Sequence, residues 1–294
     1  MVSRLPRFKR SSEIPPFKLT DRDGEILKCV HRHRFLRSDH LTELTTGSPQ
    51  QMLRRLQRLY HHGYLERPRC QIDYYQSGSR RMAYGLGNKG AAWVKRGFSP
   101  SFRQLNWQRK NPIGRLFLEH ALLISDIMVA MELACRNRND IRLLSPEDLH
   151  LPKVREPFQW KVNIGEKCGV IPDRVFGLEF DNKRCWYFLE ADRATMPITR
   201  GNLDQTSFQR KLLAYEATWT QDIHRREFGI QRFRVLTVTT SPERVQGMIE
   251  ACRKLQHGRG LFLFTDTESF HEQPDLLAHS WQAHRENESV GLLD

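Results

Sequence analysis

GVIPDRVFGLEF (Gly169–Phe180) and RCWYFLEAD (Arg184–Asp192), separated by Asp181-Asn182-Lys183, decide the fold and point to the chemistry. Both runs are rich in β-branched and aromatic residues, and a turn signal divides them, so they read as neighbouring, largely buried strands. Acids at the ends of buried strands need compensation, because an unpaired buried carboxylate costs several kcal/mol. Glu190 and Asp192 are two residues apart and leave the same face of their strand. Pairing of the strands adds Asp173 to them. Three converging carboxylates repel unless a cation lies between them, and an all-oxygen set suits Mg²⁺ or Mn²⁺. A structural account also fits: Asp173 starts one strand, Glu190 and Asp192 end the other, and Arg174 and Arg193 pair with them.

Outward from these strands, the sequence alternates helix and strand. Ile113–Asn137 reads as one long helix, and Ile141–Leu144 and Phe158–Ile164 as strands. After the acidic pair come a helix over Asp204–Trp219, a strand Phe233–Thr239, a helix Ser241–Gln256 capped by Ser241-Pro242, and a strand Leu261–Thr265. That order predicts a mixed sheet flanked by helices, an α/β (α+β mixed) domain over 113–268, followed by a C-terminal tail, 269–294.

The N-terminal third differs in charge. Residues 1–98 hold 20 Lys/Arg against 8 Asp/Glu, whereas 99–294 hold 27 against 26. Nearly all of the +13 net charge therefore lies in one third of the chain, the footprint of a polyanion-binding module joined to a nearly neutral domain. Residues 1–18 read as a basic, proline-containing flexible arm, either touching phosphates or a disordered start without function. Over 19–98, Thr20 caps a first helix, with Asp23 at the fourth position of a capping box. A second helix covers Ser38–Leu44, and a third starts at Ser48-Pro49 with Met52, Leu53, Leu56, Leu59 and Tyr60 inward. Gln50, Gln51, Arg54, Arg55 and Arg58 remain for its outer face and suit base edges and phosphates. A hairpin follows with Arg80 and Arg81 at its polar tip. Three helices and a basic wing predict a winged helix-turn-helix DNA-binding domain. A helical bundle with a solvated basic face is the other reading. Ser99–Pro112 reads as a linker.

Six scattered cysteines form no Cys-x-x-Cys pair, which argues against zinc ribbons and redox motifs. No signal peptide or long apolar span is visible, so the expectation is a reduced, cytoplasmic protein without a membrane partner. There is no glycine-rich phosphate loop and no Gly-x-Ser-x-Gly elbow.

Pro172-Asp173 followed by Glu190-Ala191-Asp192 resembles the motif of the restriction-endonuclease-like nuclease fold, with Asp192 where that fold usually carries lysine. The chain is also similar, over about residues 19–265, to the replication-relaxation family of plasmid and mobile-element proteins. That likeness rests on Leu19-Thr20-Asp21-Arg22-Asp23-Gly24-Glu25-Ile26-Leu27, the Arg54–Leu59 run before Gly63-Tyr64-Leu65, Glu119-His120, Pro172-Asp173 and Phe188–Arg193. The family in turn looks like MOBC-type relaxases. The resemblance implies a metal-dependent, site-specific DNA nickase or relaxase at a transfer or replication origin. In that enzyme Asp173 and Glu190, with the Ala191 carbonyl, hold the cation, and Asp192 joins them or holds a second ion. Implied partners are double-stranded DNA, other mobilisation proteins and a second copy of the chain.

Lys211, four residues before Tyr215 on one helical face, is a candidate substitute for the missing lysine; otherwise it is surface and Tyr215 is core. His120 lies on a stripe with Phe117, Ile124 and Ile127, as a core histidine or a substrate-facing catalytic one. A catalytically inactive DNA-binding accessory protein is the competing function, supported by Asp192 standing in place of lysine.

Overall fold

The computed structural model describes residues 6–11, 13–73, 81–97, 113–149, 158–201, 205–285 and 289–294. The protein is of mixed α/β class and divides into two compact units, Met1–Val129 and Ala130–Asp294.

In the first unit, α1 (Asp21–His33) opens on the capping box read from the sequence. The Thr20 N–H donates to Asp23 Oδ2 at 2.7 Å, and the Asp23 N–H donates back to Thr20 Oγ1 at 3.4 Å. The β1 strand (Leu36–Arg37) precedes α2 (Ser38–Leu44). Ser48 caps α3 (Pro49–His61), with Pro49 in its first turn. Strands β2 (Leu65–Glu66) and β3 (Ala83–Leu86) follow, then α4 (Asn88–Gly97), and the three strands pair antiparallel in the order β1-β3-β2. The unit thus holds helices and a small antiparallel sheet, and two readings of the sequence are corrected. The stretch read as the start of a hairpin is interrupted after β2, where Arg69–Gln71 is a 3₁₀ turn. There the Gln71 side chain donates to Ala83 O (3.0 Å) and accepts from Ala83 N (2.8 Å), replacing a ladder partner. Leu53, read as inward, is 48% exposed.

Gly90 has a packing reason to be glycine. A Cβ there would lie 2.1 Å from the Tyr64 carbonyl oxygen, where α4 crosses the turn after α3. Gly90→Ala is expected to destabilise the first unit by about 1–3 kcal/mol, because the obstructing atom is backbone. A lowered urea midpoint would show it; an unchanged midpoint would contradict the close approach.

The helix α5 (Arg115–Arg136) matches the long helix read from sequence. The unit boundary falls inside it, rather than at 99–112, which lie outside the described residues. The reason is packing: Leu118 and Ala121 cluster with Phe35 and Ala83, and Ser125 Oγ donates to Phe35 O at 2.6 Å.

The second unit holds the mixed sheet. Its strands are β4 (Arg142–Leu144), β7 (Arg174–Phe180), β8 (Lys183–Ala191), β9 (Phe233–Thr239), β10 (Phe262–Asp266), β11 (Trp281–Gln282) and β12 (Ser289–Val290), in the order β12-β11-β10-β9-β8-β7-β4. β8, β9 and β10 run parallel and the other pairings are antiparallel. Helices α6 (Phe208–Thr220), α7 (Ile223–Phe228) and α8 (Pro242–Arg253) pack their apolar residues with Trp186 and Phe188 of β8 in one core; α9 (Thr267–Glu272) follows β10.

The stretch 169–180 is not one strand. Proline has no N–H and disfavours helical backbone before it, and the chain breaks at Ile171-Pro172. The residues before the break form β6 (Lys167–Val170), paired with β5 (Trp160–Asn163) in a separate hairpin, and those after it enter the main sheet. The β7–β8 turn places Asp181 and Asn182 at φ 48° and 58°, as a tight hairpin turn demands. Of residues 269–294, read as a tail, the described ones, 269–285 and 289–294, instead complete the domain. Trp281 is fully buried, and the Tyr187 hydroxyl donates to Leu292 O at 2.6 Å.

Candidate active site and nucleic-acid interface

The Pro172 break leaves Asp173 at the entrance to β7. The register Arg174↔Leu189 sets it across from Glu190. Its N–H donates to Leu189 O at 3.0 Å, and its Oδ2 accepts the Ala191 N–H at 2.8 Å. Glu190 follows Trp186 and Phe188 on the face of β8 that enters the helix-covered core. It is 3% exposed.

Two residues one turn apart on α6 meet it there. The Tyr215 hydroxyl donates to Glu190 Oε1 at 2.6 Å, and Lys211 Nζ donates to Oε2 at 2.5 Å. Burial pushes the Glu190 carboxyl above its ordinary range, against the pull of Lys211, and the Asp173 charge adds to the rise. Burial works to lower the Lys211 ammonium, but the charges of Glu190, Asp173 and Asp192 outweigh it and hold the ammonium above its usual value. Burial, then Glu190, pushes the Tyr215 hydroxyl well above its ordinary value, so it stays protonated and donating. Tyr215 is in the core, as one reading had it, and Lys211 is half-buried rather than surface; both donate to Glu190.

Asp192 departs from the expected triad. Arg244 binds it twice, Nε to Oδ2 at 2.5 Å and Nη2 to Oδ1 at 3.0 Å, and Thr239 Oγ1 donates to Oδ2 at 2.6 Å. The Ala194 N–H donates to it as well, at 3.1 Å. Burial would raise its carboxyl, but Arg244 and Thr239 hold it below the ordinary range. Arg244 also donates to Met196 O at 2.6 Å, so Asp192 anchors the turn that follows β8. Among the described residues, no group of three or more His, Cys, Asp or Glu side chains is placed to hold a metal ion. The sequence reading of Asp173, Glu190 and Asp192 as one three-carboxylate set is thereby reduced to two acids and a lysine. The sequence also missed Arg244; its only signal was a basic residue in the first turn after the Ser241-Pro242 cap. His120 is half-buried on α5 in the first unit, whereas the acids and Lys211 belong to the second. Glu119 pairs with Arg115 at 3.0 Å.

The residues read as DNA-binding divide into three groups. Gln50, Gln51 and Arg54 are exposed on α3, with Leu53 beside them. Arg55 is committed elsewhere: its Nε and Nη2 both bind the fully buried Asp23 carboxylate, and Nη2 reaches Lys18 O at 2.9 Å. Arg58 is exposed but donates to Pro16 O at 3.1 Å. Arg80 lies outside the described residues; Arg81 is exposed, 4.0 Å from Asp39.

The arm is placed rather than loose over its described residues. The Phe17 ring stacks on His62 at 4.8 Å and lies under the Arg55 and Arg58 guanidinium groups, at 4.3 and 5.2 Å. Arg10 pairs with Glu66 at 2.6 Å, and buried Arg67 donates to Arg7 O at 2.7 Å.

The replication-relaxation family model matches residues 27–232, more than two thirds of the chain. No curated protein and no solved structure matches it.

Proposed function

This chain belongs to the replication-relaxation family, and on that premise we propose that it is a metal-dependent, site-specific DNA nickase or relaxase acting at the origin of a plasmid or mobile element. Family membership gives the coarser statement, a role with DNA in the replication or relaxation of such elements. The observation that carries the finer one is Glu190, set across from Asp173 by the strand register, with Lys211 Nζ 2.5 Å from its Oε2.

The donor set fits a hard divalent cation. Mg²⁺ is commonly held by one or two carboxylates, with water and substrate phosphate completing its shell. Asp173 and Glu190 would hold Mg²⁺ or Mn²⁺, which when bound supplies Lewis-acid polarisation of a phosphoryl oxygen and a more acidic water. Tyr215 orients Glu190 through Oε1. Lys211 brings a positive charge to the same acids and, turned outward, meets the scissile phosphate. The ion pair with Arg244 fixes the turn after β8 and so the end of the strand that carries Glu190.

DNA recognition falls to the first unit. Gln50 and Gln51 read the duplex from α3, and Arg54, Arg58 and Arg81 add phosphate contacts. Such contacts make affinity fall steeply with salt, by about 0.9 in log K per contact per log unit. Arg54→Ala should therefore lower both the affinity and the salt slope without loss of stability. An unchanged salt slope in a titration would take Arg54 out of the interface. On this reading the protein acts in the cytoplasm, which suits its six free cysteines, with other mobilisation proteins or a second copy as partners. Among the described residues, no helix is long and apolar enough to cross a membrane.

The second reading, a DNA-binding accessory protein without cleavage, is favoured by Asp192 being locked to Arg244 where the nuclease motif carries lysine. Supercoiled plasmid carrying the element's own origin separates the two. Open circles that form with Mg²⁺ or Mn²⁺ and are lost on chelation support the nickase. Intact supercoils under every condition, alongside tight binding, support the accessory role.

A further inference from the structure

We propose that Lys211 is a latch on the cation site: without metal its ammonium compensates Glu190 and Asp173, and metal loading displaces it from Glu190 Oε2. This rests on the metal reading of Asp173 and Glu190 and adds a regulation of that site. Glu190 sits 3% exposed inside a strand and cannot stay ionised there without a compensating positive charge. Both of its oxygens are engaged, Oε1 by Tyr215 and Oε2 by Lys211. The two donors differ in freedom. Tyr215 is 1% exposed, with its ring stacked on Phe188 at 5.8 Å and edge-on to Trp160 at 6.1 Å, so its hydroxyl is fixed. Lys211 is half-buried at the start of α6, and its side chain has a flexible four-carbon stem that can swing outward.

An ammonium and a divalent cation on the same carboxylate oxygen repel strongly at such short range. Asp192 offers the displaced ammonium little, because Arg244 already neutralises it. A phosphate of bound DNA does offer a partner. Metal affinity is therefore weakened in the free protein and restored on DNA, which keeps the nuclease site unloaded until substrate is present.

The test is Mn²⁺ titration of the full chain, followed by calorimetry, for wild type, Lys211→Met and Glu190→Gln, each with and without origin DNA. Lys211→Met should bind Mn²⁺ about tenfold tighter than wild type without DNA, and DNA should raise its affinity by a smaller factor than it raises that of wild type. Equal or weaker binding by Lys211→Met, with wild type binding and Glu190→Gln not, overturns the latch alone. No binding by any of the three overturns the latch and the cation reading together. If Lys211→Met does not fold, acetylation of Lys211 in the wild-type protein, read by mass spectrometry, decides the matter. Labelling should rise when Mn²⁺ saturates the site, and unchanged labelling overturns the latch.

Discussion

Glu190→Gln is expected to slow plasmid nicking by about 10²–10³-fold, the rate equivalent of several kcal/mol of lost transition-state stabilisation. The substitution keeps the shape of the side chain and an oxygen that accepts from Tyr215. It removes the negative charge that Lys211 and a cation would share. DNA affinity should stay close to wild type, because the residues assigned to DNA reside in the first unit. Single-turnover nicking beside a binding titration separates these effects. A wild-type nicking rate would remove Glu190 from the chemistry, and a parallel loss of DNA affinity would point to unfolding instead.

Arg55→Ala should cost about 3–5 kcal/mol, since it leaves a buried carboxylate without its partner. Asp23 is 0% exposed and takes two hydrogen bonds from the Arg55 guanidinium. A loss of that size is a large part of the stability of an ordinary domain. The pH dependence gives the same contact a second signature. Burial would raise the Asp23 carboxyl, but hydrogen bonds from Arg55 and Thr20 outweigh it and hold the group below its ordinary range. A lowered folded pKa contributes stability that is full above the unfolded value, about 3.9, and is lost as pH falls through the folded one. Protonation of Asp23 removes the charge that Arg55 compensates, so the stability gap between wild type and Arg55→Ala should narrow as pH falls through the carboxyl range. Urea denaturation across a pH series would show it. A gap that stays constant into acid would mean that the pair does not hold the first unit together.

These two residues also mark what the sequence revealed and what it hid. The strand acids were legible because buried carboxylates are conspicuous in apolar strands, and spacing alone put Lys211 and Tyr215 on one helical face. The partners of those groups depend on tertiary placement. Arg244 lies 52 residues from Asp192, and no local pattern links them. Arg55 looked like a DNA contact because charge on the outer face of a helix reads alike whether it meets phosphate or a buried acid 32 residues earlier. The break at Pro172 was signalled by proline chemistry, yet the apolar run on either side masked it. The last strands escaped because each is two residues long, too short for a period-two pattern.

The central claim is that Asp173 and Glu190 together hold the catalytic cation. Crystals soaked in Mn²⁺ and measured at its absorption edge test it most directly. The expected result is an anomalous peak within about 2.0–2.6 Å of a carboxylate oxygen of both residues, with the Lys211 ammonium moved off Glu190. A saturated crystal with no peak there, or with its manganese bound elsewhere and Lys211 still on Glu190, would contradict it.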